Sequence, residues 1–224
     1  MRKILFTVFL LSAKFAFSQN YFEGVITFKT EFTVSDSAEP NLLNKLHYKY
    51  GDSLKMYYSK LGDFKRKYIN SGDAGNEYQT FLSKKKTLYT KVKNKNYAVP
   101  VDVTINSLVI LKKVKLPQED ILNISCDCTQ YNAKTSDNKD IALVYCYGKQ
   151  SEMINFAAME HYSDFFLNDF FITTQRPYLK FSMIAEDYTL TYTALNMEST
   201  DLDKIVFKVD EVFKKEPVER SKFF

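Results

Sequence analysis

The chain has 224 residues, 45% of them hydrophobic, with 31 Lys and Arg against 27 Asp and Glu for a formal charge of +4. That apolar content excludes a disordered chain, and the near balance of charges excludes the concentrated basic field with which nucleic-acid binders displace counterions from phosphates. Tyr and Phe are abundant, Trp is absent and Gly and Pro are few, a composition that favours long strands over many tight loops.

Residues 1–18 begin Met-Arg-Lys, continue as an apolar run from Ile4 to Leu11 and end Ala16-Phe17-Ser18, the order of charge, apolar stretch and small residues of a secretory signal peptide. Lys14 interrupts the segment before the roughly 18 uncharged apolar residues that a membrane span needs. No cysteine follows the small residues to accept a lipid anchor. Cleavage is expected at or near Gln19, giving an exported chain, periplasmic or extracellular, with no integral membrane span. Subtracting Arg2, Lys3 and Lys14 from +4 leaves a charge of +1. One β-rich domain is expected over residues 19–213, and residues 214–224 are expected to be a charged, flexible tail.

From Phe22 the pattern alternates, with Gly24, Ile26, Phe28, Thr30 and Phe32 on one parity, so a long half-buried strand is predicted. Ser35 to Asn44 is a polar connection. Sheet-like runs follow at Lys45 to Tyr50, Ser53 to Ser59, Phe64 to Ile69, Tyr78 to Leu82, Thr87 to Val92 and Tyr97 to Val101. Gly-, Asp-, Asn- and Lys-rich turns separate them, which argues for an antiparallel meander. Lys84-Lys85-Lys86 is read as a solvated turn. Between Val103 and Asp120 the pattern weakens, and Val109-Ile110-Leu111 fits a strand or a short helix.

All three cysteines lie on a predicted hairpin from Leu122 to Tyr147 around a Lys-Thr-Ser-Asp-Asn turn. A turn centred on Ser136 sets Cys126 opposite Cys146, and one centred on Asp137 sets Cys128 there. Export makes a disulfide to either partner plausible, with one thiol left over. Ser151 to Asp169 changes to a helical period through Met153, Phe156, Ala157, Phe165 and Phe166, with Ser151 as a candidate cap. This helical excursion is the candidate lid or plug. Strands return at Tyr178 to Ile184 and Tyr188 to Met197, and Ile205, Phe207 and Val209 alternate as a closing strand.

The ordered set Phe22-Glu23-Gly24-Val25-Ile26-Thr27-Phe28, Lys85-Lys86-Thr87-Leu88-Tyr89, a central strand carrying cysteine, Pro177-Tyr178-Leu179-Lys180-Phe181 and Tyr192-Thr193-Ala194-Leu195-Asn196-Met197 resembles exported Bacteroidetes proteins of unknown function. Those are similar to the periplasmic lipoprotein-carrier superfamily, the localisation factor A/B-like proteins. The resemblance spans about residues 21–213. It implies a mainly β fold with some helix: a curved antiparallel sheet, an open half-barrel, with helical segments covering one side and an apolar concave face able to hold an acyl chain. The chain departs from the carriers in its long stretch from Ser151 to Pro177 and in its sparse arginine; Arg66 is the one arginine within a predicted mid-sheet strand and matches no motif position.

Phe28, Phe32, Met56, Tyr58, Phe181, Tyr188 and Tyr192 recur on one parity of successive strands, as either an ordinary core or the lining of an apolar pocket. They are the candidate ligand-binding residues. Metal and cofactor sites are not expected, because His47 and His161 are far apart and neither is spaced with a cysteine as a zinc ligand would be. No glycine loop for phosphate and no flanked nucleophile occurs, so a hydrolase using His161 is the weakest reading. Ser37, in Asp36-Ser37-Ala38, matches the Asp-Ser-small acceptor pattern for O-glycosylation of exported Bacteroidetes proteins. Two readings result: an exported, non-enzymatic carrier for a lipid or other hydrophobic ligand, and a cell-envelope interaction or scaffold domain with no small-molecule ligand. Neither fixes an oligomeric state.

Overall fold

A computed structural model describes residues 21–213 and 217–219. The expected signal peptide therefore lies outside the described residues, as do positions 214–216 and 220–224 of the tail. Among the described residues the protein is mainly β, with one curved sheet that is not closed into a barrel.

The strands are β1 (Gly24–Val34), β2 (Ser53–Tyr58), β3 (Phe64–Ile69), β4 (Asn76–Leu82), β5 (Thr87–Val92), β6 (Tyr97–Asp102), β7 (Val109–Ile121), β8 (Ile124–Lys134), β9 (Asp140–Gly148), β10 (Lys180–Ile184), β11 (Tyr188–Ser199), β12 (Glu211–Val212) and β13 (Val218–Glu219). Their order across the sheet is β12-β6-β5-β4-β3-β2-β1-β11-β10-β9-β8-β7, with β13 also on β6. β12 and β13 run parallel to β6, and every other pairing is antiparallel. The N-terminal meander and the C-terminal hairpins thus meet on β1, which pairs with β2 on one side and with β11 along its whole length on the other. Ile26 and Phe28 of β1 are fully buried on the inner parity, while Lys29 and Glu31 are exposed.

Two predicted strands have other structures. Lys45 to Tyr50 belongs to a helix, α1 (Leu42–Tyr50). Its Leu46 and Tyr50, four residues apart, share a helical face and also a strand parity, so the same pair satisfies both periods. His47 meets Phe32 edge-on at 4.8 Å and Tyr50 lies 6.2 Å from Tyr68, so helical packing decides the outcome. Gly51 ends α1 at φ 74°, ψ −165°, a conformation open essentially to glycine. The predicted closing strand at Ile205, Phe207 and Val209 is instead a 3-10 turn at Lys204–Phe207, because the Asp203 carboxylate accepts from Ile205 N at 2.9 Å and caps it. The weakly patterned stretch forms β7, whose Pro117 is tolerated at an edge where the register slips between Leu116 and Glu119. Within the tail, Val218 and Glu219 pair with Val101 and Asp102.

The helical excursion is broken. It contains 3-10 turns at Phe156–Met159 and Asp164–Phe166, followed by α2 (Leu167–Thr174). Ser151 does not cap it, since its hydroxyl donates back to Gly148 O at 2.7 Å. Phe170, Phe171 and Leu167 of α2 are buried in the core. The hairpin register pairs Lys134 with Asp140 and therefore Cys128 with Cys146, 4.1 Å apart at Cα and joined as a disulfide; Cys126 is a buried free thiol opposite Gly148.

Candidate functional site

A cavity of about 70 Å³ lies inside the bend of the sheet. Its walls come from both ends of the curve: Arg66 and Tyr68 of β3 and Gln79 of β4 on one side, Tyr145 of β9, Phe181 and Met183 of β10 and Leu190 and Tyr192 of β11 on the other. β3 and β10 are four steps apart in the sheet, which would be roughly 19 Å in a flat sheet. Only strong curvature brings them around one small void. Phe165 and Leu167 close it from the excursion, and Tyr50 and Tyr178 complete the apolar lining.

One side of the lining is polar. Tyr68 donates to Gln79 Oε1 at 3.1 Å, and Arg66 Nη1 reaches the same oxygen at 3.4 Å. Arg66 Nε is buried without a hydrogen-bond partner in the protein. A guanidinium stays charged at any accessible pH, so the cavity has a permanent cation at one end and Phe181, Met183, Leu190 and Leu167 at the other. Burial pushes the hydroxyls of Tyr145 and Tyr192 well above the ordinary phenol range, against the opposing pull of Arg66. Both phenols therefore act as neutral hydrogen-bonding groups.

The plug is held by named contacts. Tyr145 donates its hydroxyl to Phe165 O at 2.9 Å, and Phe166 stacks on Tyr131 at 5.5 Å with the rings 8° from parallel. Tyr131 in turn donates to Asp169 at 2.7 Å, and Lys113 pairs with that carboxylate at 2.6 Å. Phe165 and Phe166 both occupy the left-handed region, at φ 55° and 57°. For bulky residues this conformation costs about 1–2 kcal/mol each, and it persists where surrounding contacts enforce it.

Phe181 and Tyr192 of the candidate ligand residues line the cavity. Phe28, Met56 and Tyr58 are fully enclosed behind it, where Met56 Sδ accepts from Tyr58 at 3.2 Å and from Tyr178 at 3.1 Å. Phe32 packs on α1, and Tyr188 is a partly buried residue at the start of β11. Arg66, Tyr68, Gln79, Tyr145, Phe165 and Leu167 were not among the candidates. Parity offered a signal for several: Arg66 with Tyr68, Phe181 with Met183 and Leu190 with Tyr192 are each two residues apart on one strand. Tyr145 shares the parity of Leu143, two residues before it on β9. Ser37 is exposed in the loop after β1, with its Oγ 3.1 Å from that of Ser35.

Other reactive groups lie elsewhere. His161 is exposed beside the plug. Glu119, Cys128 and Cys146 bring ligand atoms within 4.8 Å of one another, but the two sulfurs are bonded together and offer no thiolate. Glu119 is taken by Lys180 at 2.6 Å. Burial pushes the Cys126 thiol up to about 11, away from nucleophilic use near neutrality. No described helix is long and apolar enough to cross a membrane.

No protein-family model matches the chain, and no curated protein matches it. Among solved structures it shows a likeness to a crystal structure named for an outer membrane lipoprotein-sorting protein domain from Vibrio parahaemolyticus. The identity is 8%, with 83% of this chain and 89% of that chain covered at a TM-score of 0.26, a level of similarity that carries no argument about function.

Proposed function

We propose that this chain is an exported, non-enzymatic binding protein. Its cavity receives one apolar segment of a lipid or another hydrophobic ligand. The observation that carries the reading is the void lined by Phe165 and Leu167, apolar on one side and bordered by Arg66, Gln79 and Tyr68 on the other. Such a lining suits an amphipathic molecule with a polar or anionic end. The Cys128–Cys146 bridge supports an oxidising compartment.

Size sets the mechanism. An engineered void of about 150 Å³ takes a benzene ring, and ordinary ligand pockets span about 300–1,000 Å³. At about 70 Å³ the cavity is too small for an acyl chain, which enters only as Phe165 and Leu167 withdraw. The left-handed backbone at Phe165 and Phe166 favours that withdrawal, because leaving it relieves strain that the closed contacts maintain.

Native mass spectrometry and solvent extraction of the purified protein, with titration of a fluorescent fatty-acid probe, test the reading. The expected result is a co-purifying lipid or saturable probe binding that weakens when Leu190 is replaced by Asp. Ligand-free protein that binds no probe would sink it.

A further inference from the structure

At the end of the sheet opposite the C-terminal strands, β7 pairs only with β8 among the described residues and leaves its other edge open. It is long, and its first eight residues, Val109-Ile110-Leu111-Lys112-Lys113-Val114-Lys115-Leu116, contain three lysines and no acid. Val109, Ile110 and Leu111 are 64%, 47% and 57% exposed. Open edges with exposed apolar residues are templates for a further strand, and proteins generally cover or blunt them. From Lys112 to Leu116 the strand runs without a break between two register slips, and Pro117 lies in the second. Pro117, with no N–H to donate, limits any added strand to Val109–Leu116.

We propose that β7 is a docking edge for an extended segment of a partner protein that carries acidic and apolar residues. Main-chain hydrogen bonds extend the sheet, and side chains select the guest. Charge supplies the selection. Lys113 is committed to Asp169 at 2.6 Å, whereas Lys112 and Lys115 form no ion pair among the described residues. An antiparallel guest that sets an acid opposite each of these two, three residues apart, and apolar residues opposite Val114, Leu111 and Val109 complements the edge. A second copy does not along the full edge. A two-fold antiparallel register that engages at least seven of these eight residues is centred from Lys112 to Lys113, and each such register puts a lysine directly across from a lysine, which is destabilising. The lysines that disfavour full-length self-pairing thus favour an acidic guest. This site is remote in sequence from the cavity lining and stands independently of the carrier reading.

The test uses the purified protein and a fluorescein-labelled peptide, Val-Glu-Val-Thr-Glu-Val-Thr-Val, followed by fluorescence anisotropy. The inference expects saturable binding that a Lys112→Glu/Lys115→Glu double variant weakens at least tenfold. A peptide with Lys in place of both Glu binds at least tenfold more weakly as well. Two further peptides are N-methylated on even or on odd positions, and only one of these loses binding, because alternate N–H groups of a guest strand face the edge. The N-methyl comparison is made on the unaltered protein, so it holds even where the double variant folds poorly. Absence of saturable binding, equal binding of the Lys peptide, or equal behaviour of both N-methylated peptides overturns the inference. So does a protein dimer that the peptide dissociates, since that would make the occupant a second copy.

Discussion

Removing the Cys128–Cys146 bridge is the perturbation whose magnitude the structure allows to be worked out. The two cysteines are 18 residues apart and face each other on adjacent strands. The chain-entropy relation for a closed loop of that length gives about 11 cal/mol/K, or about 3 kcal/mol at 25 °C, by which the bridge limits the unfolded ensemble. For a domain of roughly 200 residues, about 3 kcal/mol corresponds to a fall in Tm of about 6–12 °C. The variant is Cys128→Ala with Cys146→Ala, which leaves no buried hydroxyl and preserves Cys126. Calorimetry and urea unfolding of the bridged protein and the variant make the measurement. The urea m-value should rise in the variant, because its unfolded chain is more expanded. The bridge also ties together β8 and β9, which carry Tyr131 and Tyr145 against the plug. Amide exchange at Phe165–Leu167 is therefore expected to accelerate. A Tm change below about 2 °C, or a variant more stable than the bridged protein, would refute the reasoning, since it would mean that the reduced hairpin is already as constrained as the bridged one.

Cys126 should resist alkylation: with its thiol pushed up to about 11, iodoacetamide labelling at pH 8 is expected to be at least 100-fold slower than for an ordinary thiol, read by mass spectrometry. The same shift makes stability fall as pH rises from about 9 toward 11, because the unfolded chain loses that proton first; urea midpoints across this window check the sign. Tyr145→Phe removes the donor to Phe165 O and should cost about 1 kcal/mol while loosening the plug, seen as faster amide exchange there. Phe165→Gly removes both the ring and the left-handed penalty, so uptake of a fluorescent fatty-acid probe should quicken; an unchanged rate would show that Phe165 does not gate the cavity. Gly51→Ala would place a Cβ 1.8 Å from Ile69 O at φ 74°, and a loss of at least 2 kcal/mol in urea unfolding is expected.

Strand parity explains most of what was legible. Where one face of a strand is buried, a one-residue slip exposes every apolar side chain, so alternation such as Ile26, Phe28 and Thr30 against Thr27, Lys29 and Glu31 specifies β1 from residue order alone. Where two periods coincide, the sequence is silent. Leu46 and Tyr50 fit a strand or a helix, and the rings of Phe32 and Tyr68 against His47 and Tyr50 select the helix. At Lys204–Phe207 a local cap outweighed alternation.

The amino-acid order by itself determined the β-rich class, the hairpin that carries the cysteines and the parity that sends aromatic rings inward, because each depends on neighbours a few residues away. Tertiary structure alone decided that Cys128 is the partner of Cys146 and that Arg66, Phe165 and Phe181 border one void. Those outcomes depend on turn register and sheet curvature, through which strands distant in the chain become opposite walls of the same small space.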